Sequence, residues 1–113
     1  MAATDRVRIA RETYGAYESG DRRMVERHLS PDFRFYRPAD VGIDLETYWT
    51  RCWPNAEMIA AFEFKRIIGC VDEVLVTYEA TKNDGKRFRN TEILTFDEDK
   101  IAMAEVYFGW NLD

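Results

Sequence analysis

A chain of 113 residues, 46% hydrophobic and 14% aromatic, is sized for one domain with one core and lies far from the composition of disordered chains. Its net charge of −5 argues against nucleic acid, because binding there depends on Lys and Arg neutralising phosphates. Two cysteines without CxxC spacing and a lone histidine argue against a disulfide framework, a metal site or another cofactor, and point to a reduced, cytoplasmic setting. The opening residues MAATDRVRIARETY mix charged and apolar types, so neither a secretory leader nor a membrane span is expected.

From Asp5 to Ser19, residues Val7, Ile9, Ala10, Thr13, Tyr14, Ala16 and Tyr17 share one half of a helical wheel, which predicts an amphipathic helix on a core. Gly20 ends it. Asp21 is placed to cap a second, short helix carrying Met24, Val25, His28 and Leu29, stopped by Ser30 and Pro31. Phe33 to Arg37 alternates as a short strand before Pro38. Asp44 then caps a third helix, with Glu46 in its first turn and an apolar stripe of Leu45, Tyr48, Trp49, Cys52 and Trp53; Pro54 is expected to end it.

Four β-prone segments follow: Ile59 to Ile68, Glu73 to Lys82, Arg87 to Phe96 and Lys100 to Phe108. Asn83-Asp84-Gly85 makes a hairpin turn between two of them. Helices followed by antiparallel strands form an α+β pattern. The expectation is three helices on one face of a five-stranded sheet, in a single domain spanning 1–113.

The third of these segments is the most informative. Phe88, Asn90, Glu92 and Leu94 fall at every second position, so an amide and a carboxylate share a face with apolar neighbours. That is how a strand lines a small-molecule pocket. For the last hairpin, a two-residue loop at Glu98-Asp99 would set Glu92 against Glu105, an unfavourable like-charge pair. A three-residue loop with Asp99 in the left-handed region instead sets Glu92 against Ala104, and this register is expected. Ala102, Ala104, Val106 and Phe108 then share the pocket face. Arg89, Thr91, Ile93, Met103, Glu105 and Tyr107 face outward as a candidate dimer surface.

The stretches YGAYESGD, HLSPDFRFYRP and RFRNTEILTFDEDKIAMAEVYFG resemble the nuclear transport factor 2-like superfamily, in its SnoaL-like or ketosteroid-isomerase-like branch. DLETYWTRCWPN, RNTE and VYFGW resemble a subgroup without an assigned reaction. The resemblance implies a cone-like fold with three N-terminal helices on a strongly curved, mostly antiparallel sheet, a pocket between them, and a homodimer through the outer sheet face. Ketosteroid isomerases carry a general-base Asp where this chain has Arg37, and a hydrogen-bonding Tyr near Thr13, with Tyr14 one residue off. Their second carboxyl corresponds to Glu92. One acid of limonene-type epoxide hydrolases corresponds to Val106. Both catalytic sets are incomplete here.

Glu92 is the candidate catalytic residue, either as a free pocket acid or as a structural carboxylate paired with Arg37 or bonded to Asn90. Asn90, Arg37, Tyr14, Tyr48, Trp49, Trp53 and Phe108 are candidate ligand contacts. At helical spacing the aromatic stripe also reads as core. Arg37 could grip an acidic group through its planar fork or sit exposed at a strand end. His28 and Cys52 read as packed side chains. Two functions follow: acid–base chemistry on a small, mostly apolar metabolite (isomerase, dehydratase or cyclase type), or a non-catalytic binding or structural homodimer.

Overall fold

A computed structural model describes residues 2–112. Helices α1 (Ala3–Ser19) and α2 (Arg22–His28) precede strands β1 (Leu29–Arg37) and β2 (Asp40–Asp44). Helix α3 (Leu45–Arg51) and the single turn α4 (Trp53–Ala56) follow, and then β3 (Ile59–Cys70), β4 (Glu73–Lys82), β5 (Arg87–Asp97) and β6 (Lys100–Leu112). Gly20 ends α1 with a left-handed φ of 71°, returning its amide to α1 carbonyls. The Asp21 carboxylate accepts the Met24 amide, and the Asp44 carboxylate accepts the Thr47 amide. Both expected caps are therefore made.

The strands form one curved, unclosed sheet in the order β2-β1-β6-β5-β4-β3. All neighbours are antiparallel except β1 and β6, which run parallel. Three expectations are corrected here. The sheet has six strands: β2 is short, contains Gly42 in the left-handed region and lacks alternation, so nothing in its composition marks it. β1 begins at Leu29, directly after α2, since the residue before Ser30-Pro31 is already extended. The third helix breaks at Cys52, and Pro54 enters a fresh turn, where its missing N–H costs nothing.

The last hairpin has the two-residue loop Glu98-Asp99, with Glu98 (φ 54°) rather than Asp99 in the left-handed region. Arg6 holds this loop and the β3–β4 loop together. Its Nε donates to the Glu98 carbonyl and Nη1 to the carbonyl of Val71, the other left-handed non-glycine. Phe96 pairs with Ile101 but Thr95 with Met103, so Ala102 is a bulge. That extra residue moves Glu92 opposite Val106, away from both Glu105 and the expected Ala104. The like-charge clash is avoided by a bulge instead of a longer loop. A second bulge falls at Gly109, between the pairs Asn90–Phe108 and Arg89–Trp110. A Cβ there would lie 2.4 Å from the Arg89 carbonyl oxygen, so only glycine fits.

The core lies on the concave side. Ile9, Ala10 and Tyr14 of α1 pack with Val74, Val76, Tyr78 and Ala80 of β4, while Phe33, Phe35 and Tyr48 close the other end. No described helix is long and apolar enough to cross a membrane.

Candidate functional site

The helices do not fill the concavity. A cavity of about 790 Å³ remains between α1, the α3–α4 corner and strands β1, β3, β4, β5 and β6, within the range of small-molecule sites. Its wall is aromatic and aliphatic: Phe33, Phe35, Tyr48, Phe62, Phe88 and Val106 all reach it. Phe108 and Trp110 stand exposed at the mouth.

Glu92 provides the lone carboxyl among the described lining residues. It makes no salt bridge with any described residue; instead the Tyr78 hydroxyl donates to Oε2 at 2.6 Å. Burial away from water raises the Glu92 pKa above the ordinary value, and the hydrogen bond from Tyr78 only partly opposes this. The cavity leaves the carboxyl partly accessible to a small molecule, while protein encloses it elsewhere.

A short relay orients this acid. The Gly109 amide donates to Asn90 Oδ1 at 3.4 Å, which turns Asn90 Nδ2 toward the Tyr78 hydroxyl, also at 3.4 Å. These two bonds are long and individually weak, but they assign each atom its role. Tyr78, accepting from Asn90, is left with its proton for Glu92. The relay explains why an amide and a carboxylate alternate along β5, and it depends on the bulge that only Gly109 allows.

Tyr14 enters from α1, its ring edge-on to Phe62 and Phe64. Its hydroxyl is buried with no partner at good hydrogen-bonding geometry, although it lies close enough to Glu92 for the two ionisations to be coupled. Burial first, and the Glu92 charge second, push the hydroxyl pKa values of Tyr14, Tyr17 and Tyr78 well above the ordinary tyrosine value. All three are donors, not bases.

A family model described as SnoaL-like domain matches residues 10–104. The chain belongs to this family. The SnoaL-like chain shares its fold with a proposed polyketide cyclase from Sinorhizobium meliloti (TM-score 0.76, 17% identity, covering 95% of this chain and 100% of that one). It also shares it with AclR, a proposed hydroxylase from Streptomyces galilaeus (TM-score 0.77, 20% identity, 96% and 81%). A de novo designed protein with a curved β-sheet superposes more closely than either (TM-score 0.83, 17% identity, 96% and 88%). At these identities the likeness is one of fold, and a designed protein on the same frame underlines that the backbone does not dictate the chemistry. No curated protein matches the sequence significantly.

Of the expected site residues in this SnoaL-like domain, Glu92, Asn90, Tyr14, Tyr48, Arg37 and Phe108 reach the cavity. Trp49 and Trp53 do not. They form an outer layer behind it, Trp53 against Tyr17 and Trp49 under the Arg22 guanidinium 4.3 Å from its ring centroid. Trp49 stands about 100° around α3 from Tyr48, and Trp53 lies beyond the break at Cys52. Arg37 is bonded to Asp40 rather than Glu92, its Nε 2.7 Å from Oδ2. His28 is tied to Glu12, away from the cavity. Cys52 lines the wall as a buried thiol whose pKa burial raises, consistent with an inert packed side chain. Among the described residues no cluster of three His, Cys, Asp or Glu side chains could hold a metal ion.

Sequence reasoning missed Tyr78 and Tyr17. Val74, Val76, Tyr78 and Ala80 occupy alternate positions of β4 and are all buried, a period-two signal that was available. Tyr17 lies one turn beyond Tyr14, and its hydroxyl is hydrogen-bonded to that of Tyr48. Register places Tyr78 opposite Asn90, hence diagonal to Glu92, a juxtaposition that strand pairing alone reveals.

Proposed function

We propose that the cavity binds a small, mostly apolar metabolite bearing an enolisable carbonyl and that Glu92 moves its proton, as isomerases, dehydratases and cyclases do. The observation that carries this reading is a desolvated carboxyl with raised pKa and no cationic partner, held toward open cavity by Tyr78. A raised pKa brings the acid and base forms of Glu92 closer in population near neutral pH. Tyr14, whose hydroxyl lacks a protein partner, donates to the ligand oxygen and stabilises negative charge developing there. In its ionised form Glu92 takes a proton from the carbon beside the carbonyl, leaving an enolate. The same carboxyl then returns the proton, to another carbon of the enolate or to an oxygen formed in a ring closure.

The test is solvent-deuterium exchange into 1-tetralone and related aryl ketones, followed by NMR. The wild-type protein should exceed the buffer rate, and Glu92→Gln should remove roughly 10²–10⁴-fold of that excess. Ketones that bind by calorimetry but exchange at the buffer rate would refute the catalytic reading.

That outcome would favour the second reading, a binding homodimer without chemistry. Its supporting observation is that no second carboxyl among the described residues lines the cavity with Glu92, the position of the isomerase base being Arg37. The proposed dimer surface is the outer face carrying Arg89, Thr91, Ile93, Met103, Glu105 and Tyr107, where Tyr107 is 52% exposed and the others are half-buried. Light scattering at micromolar concentration should return twice the 13.3 kDa chain mass; a monomer mass would reject this surface.

A further inference from the structure

Arg37 presents a second polar feature to the cavity, and the sheet register locates it. Phe35 pairs with Ala104 and Ala104 with Leu94, all three facing inward. One inward step along each strand reaches Arg37, Val106 and Glu92. Both ends of that row line the cavity. Strand spacing sets their backbones roughly 10 Å apart, with the apolar Val106 between them.

The charge around Arg37 is unbalanced. Asp40 is buried, and its two oxygens are divided between two arginines: Arg37 Nε at 2.7 Å and Arg51 Nε at 2.7 Å. Two guanidinium groups against one carboxylate leave one positive charge. The Arg51 side chain is 55% exposed and can spend its charge on water, whereas Arg37 is 24% exposed and borders the cavity. Asp40 occupies one of the five guanidinium donors of Arg37. Neither Nη hydrogen-bonds to any described residue. An anchored guanidinium with an open fork, 5.8 Å from the Phe35 ring centroid, suits a planar anion.

We propose that Arg37 is a carboxylate-binding subsite and that the ligand is an oxo acid: an apolar body with a carboxylate on Arg37 and a carbonyl on the Glu92–Tyr14 pair. This rests on reading the cavity as a ligand site and adds the chemical class of ligand. Asp40 is a positioning residue. By fixing Nε it aims the fork and prevents the side chain from leaving for solvent.

The probe is 5-oxo-5-phenylpentanoate, compared by calorimetry with its primary amide, which keeps the aryl ketone and removes the charge. The wild type should bind the acid at least tenfold more tightly than the amide. In Arg37→Met the preference should vanish, and residual amide binding shows that the variant is folded. Arg37→Lys should keep a charge but lose the fork and most of the preference. Glu92→Gln should retain the preference even if it abolishes proton exchange, so the subsite and the acid fail independently. Equal affinity for acid and amide, or a preference that survives Arg37→Met, overturns the subsite and leaves the Glu92 reading standing. Binding of neither compound at millimolar concentration overturns both.

Discussion

Two glutamates on adjacent strands meet opposite fates. Glu92 of β5 faces the cavity, where burial outweighs its hydrogen bond from Tyr78 and its pKa rises. Glu79 of β4 faces the other side of the sheet, its side chain 10% exposed beneath Arg89 at 2.6 Å, Arg87 at 3.2 Å and Lys65 at 3.7 Å. Hydrogen bonding from Arg89, opposed by desolvation and assisted by the surrounding cations, lowers its pKa. Both are little exposed to bulk water, so exposure does not separate them. A cation within reach does. Among the described residues the structural glutamate is neutralised by three cations, while the cavity glutamate has the Tyr78 hydroxyl alone, which stabilises a carboxylate less and does not fix its protonation.

Tyr78→Phe would break the contrast at its donor. It removes a hydrogen bond to a carboxyl and leaves Asn90 without its acceptor, so chemical denaturation should show a loss of about 1–3 kcal/mol. The Glu92 pKa should rise further. A variant as stable as the wild type would mean that Glu92 draws nothing from Tyr78.

The pH dependence of stability sharpens the same comparison, with a smaller effect. Glu92 has a raised folded-state pKa, so its contribution is full below the unfolded pKa and is lost as pH rises through the folded value. Glu79 has a lowered one, so its contribution is present above the unfolded pKa and is lost as pH falls through the folded value. Wild type measured against Glu92→Gln should therefore lose stability with rising pH, and against Glu79→Gln should gain it. Equal slopes of one sign would erase the distinction.

Tyr14→Phe should do least. Its hydroxyl has no protein partner to lose, so stability should stay within about 0.5 kcal/mol of wild type or increase. Aryl-ketone binding should weaken all the same. A loss above about 1.5 kcal/mol, the size of a hydrogen bond to a charged group, would show that the hydroxyl is bonded to Glu92.

Much of this was legible before any coordinates. The caps Asp21 and Asp44, the Gly20 stop, and the inward face of β5 follow from local rules, because capping and strand alternation are properties of a few neighbouring residues. The strand pairing of Glu92 was not legible. It depends on the bulge at Ala102, which no periodicity announces, yet two-residue alternation kept Asn90 and Glu92 on the correct face. Trp49 and Trp53 were misplaced for a related reason. A helical wheel assumes a continuous helix, and the break at Cys52 ends its validity for Trp53, whereas Trp49 sits at the edge of the stripe, about 100° from Tyr48. Tyr78, Asp40 and the row linking Arg37 to Glu92 belong to strand pairing, which only the assembled sheet displays.

The claim most open to direct attack is that Glu92 is a desolvated acid without a cation. Carbon-13 NMR titration of the glutamate side-chain carboxyls, with Glu92→Gln and Glu79→Gln assigning the two signals, measures it. The account predicts that Glu92 titrates above the exposed glutamates and Glu79 below them. A Glu92 signal titrating with or below the exposed glutamates would contradict it.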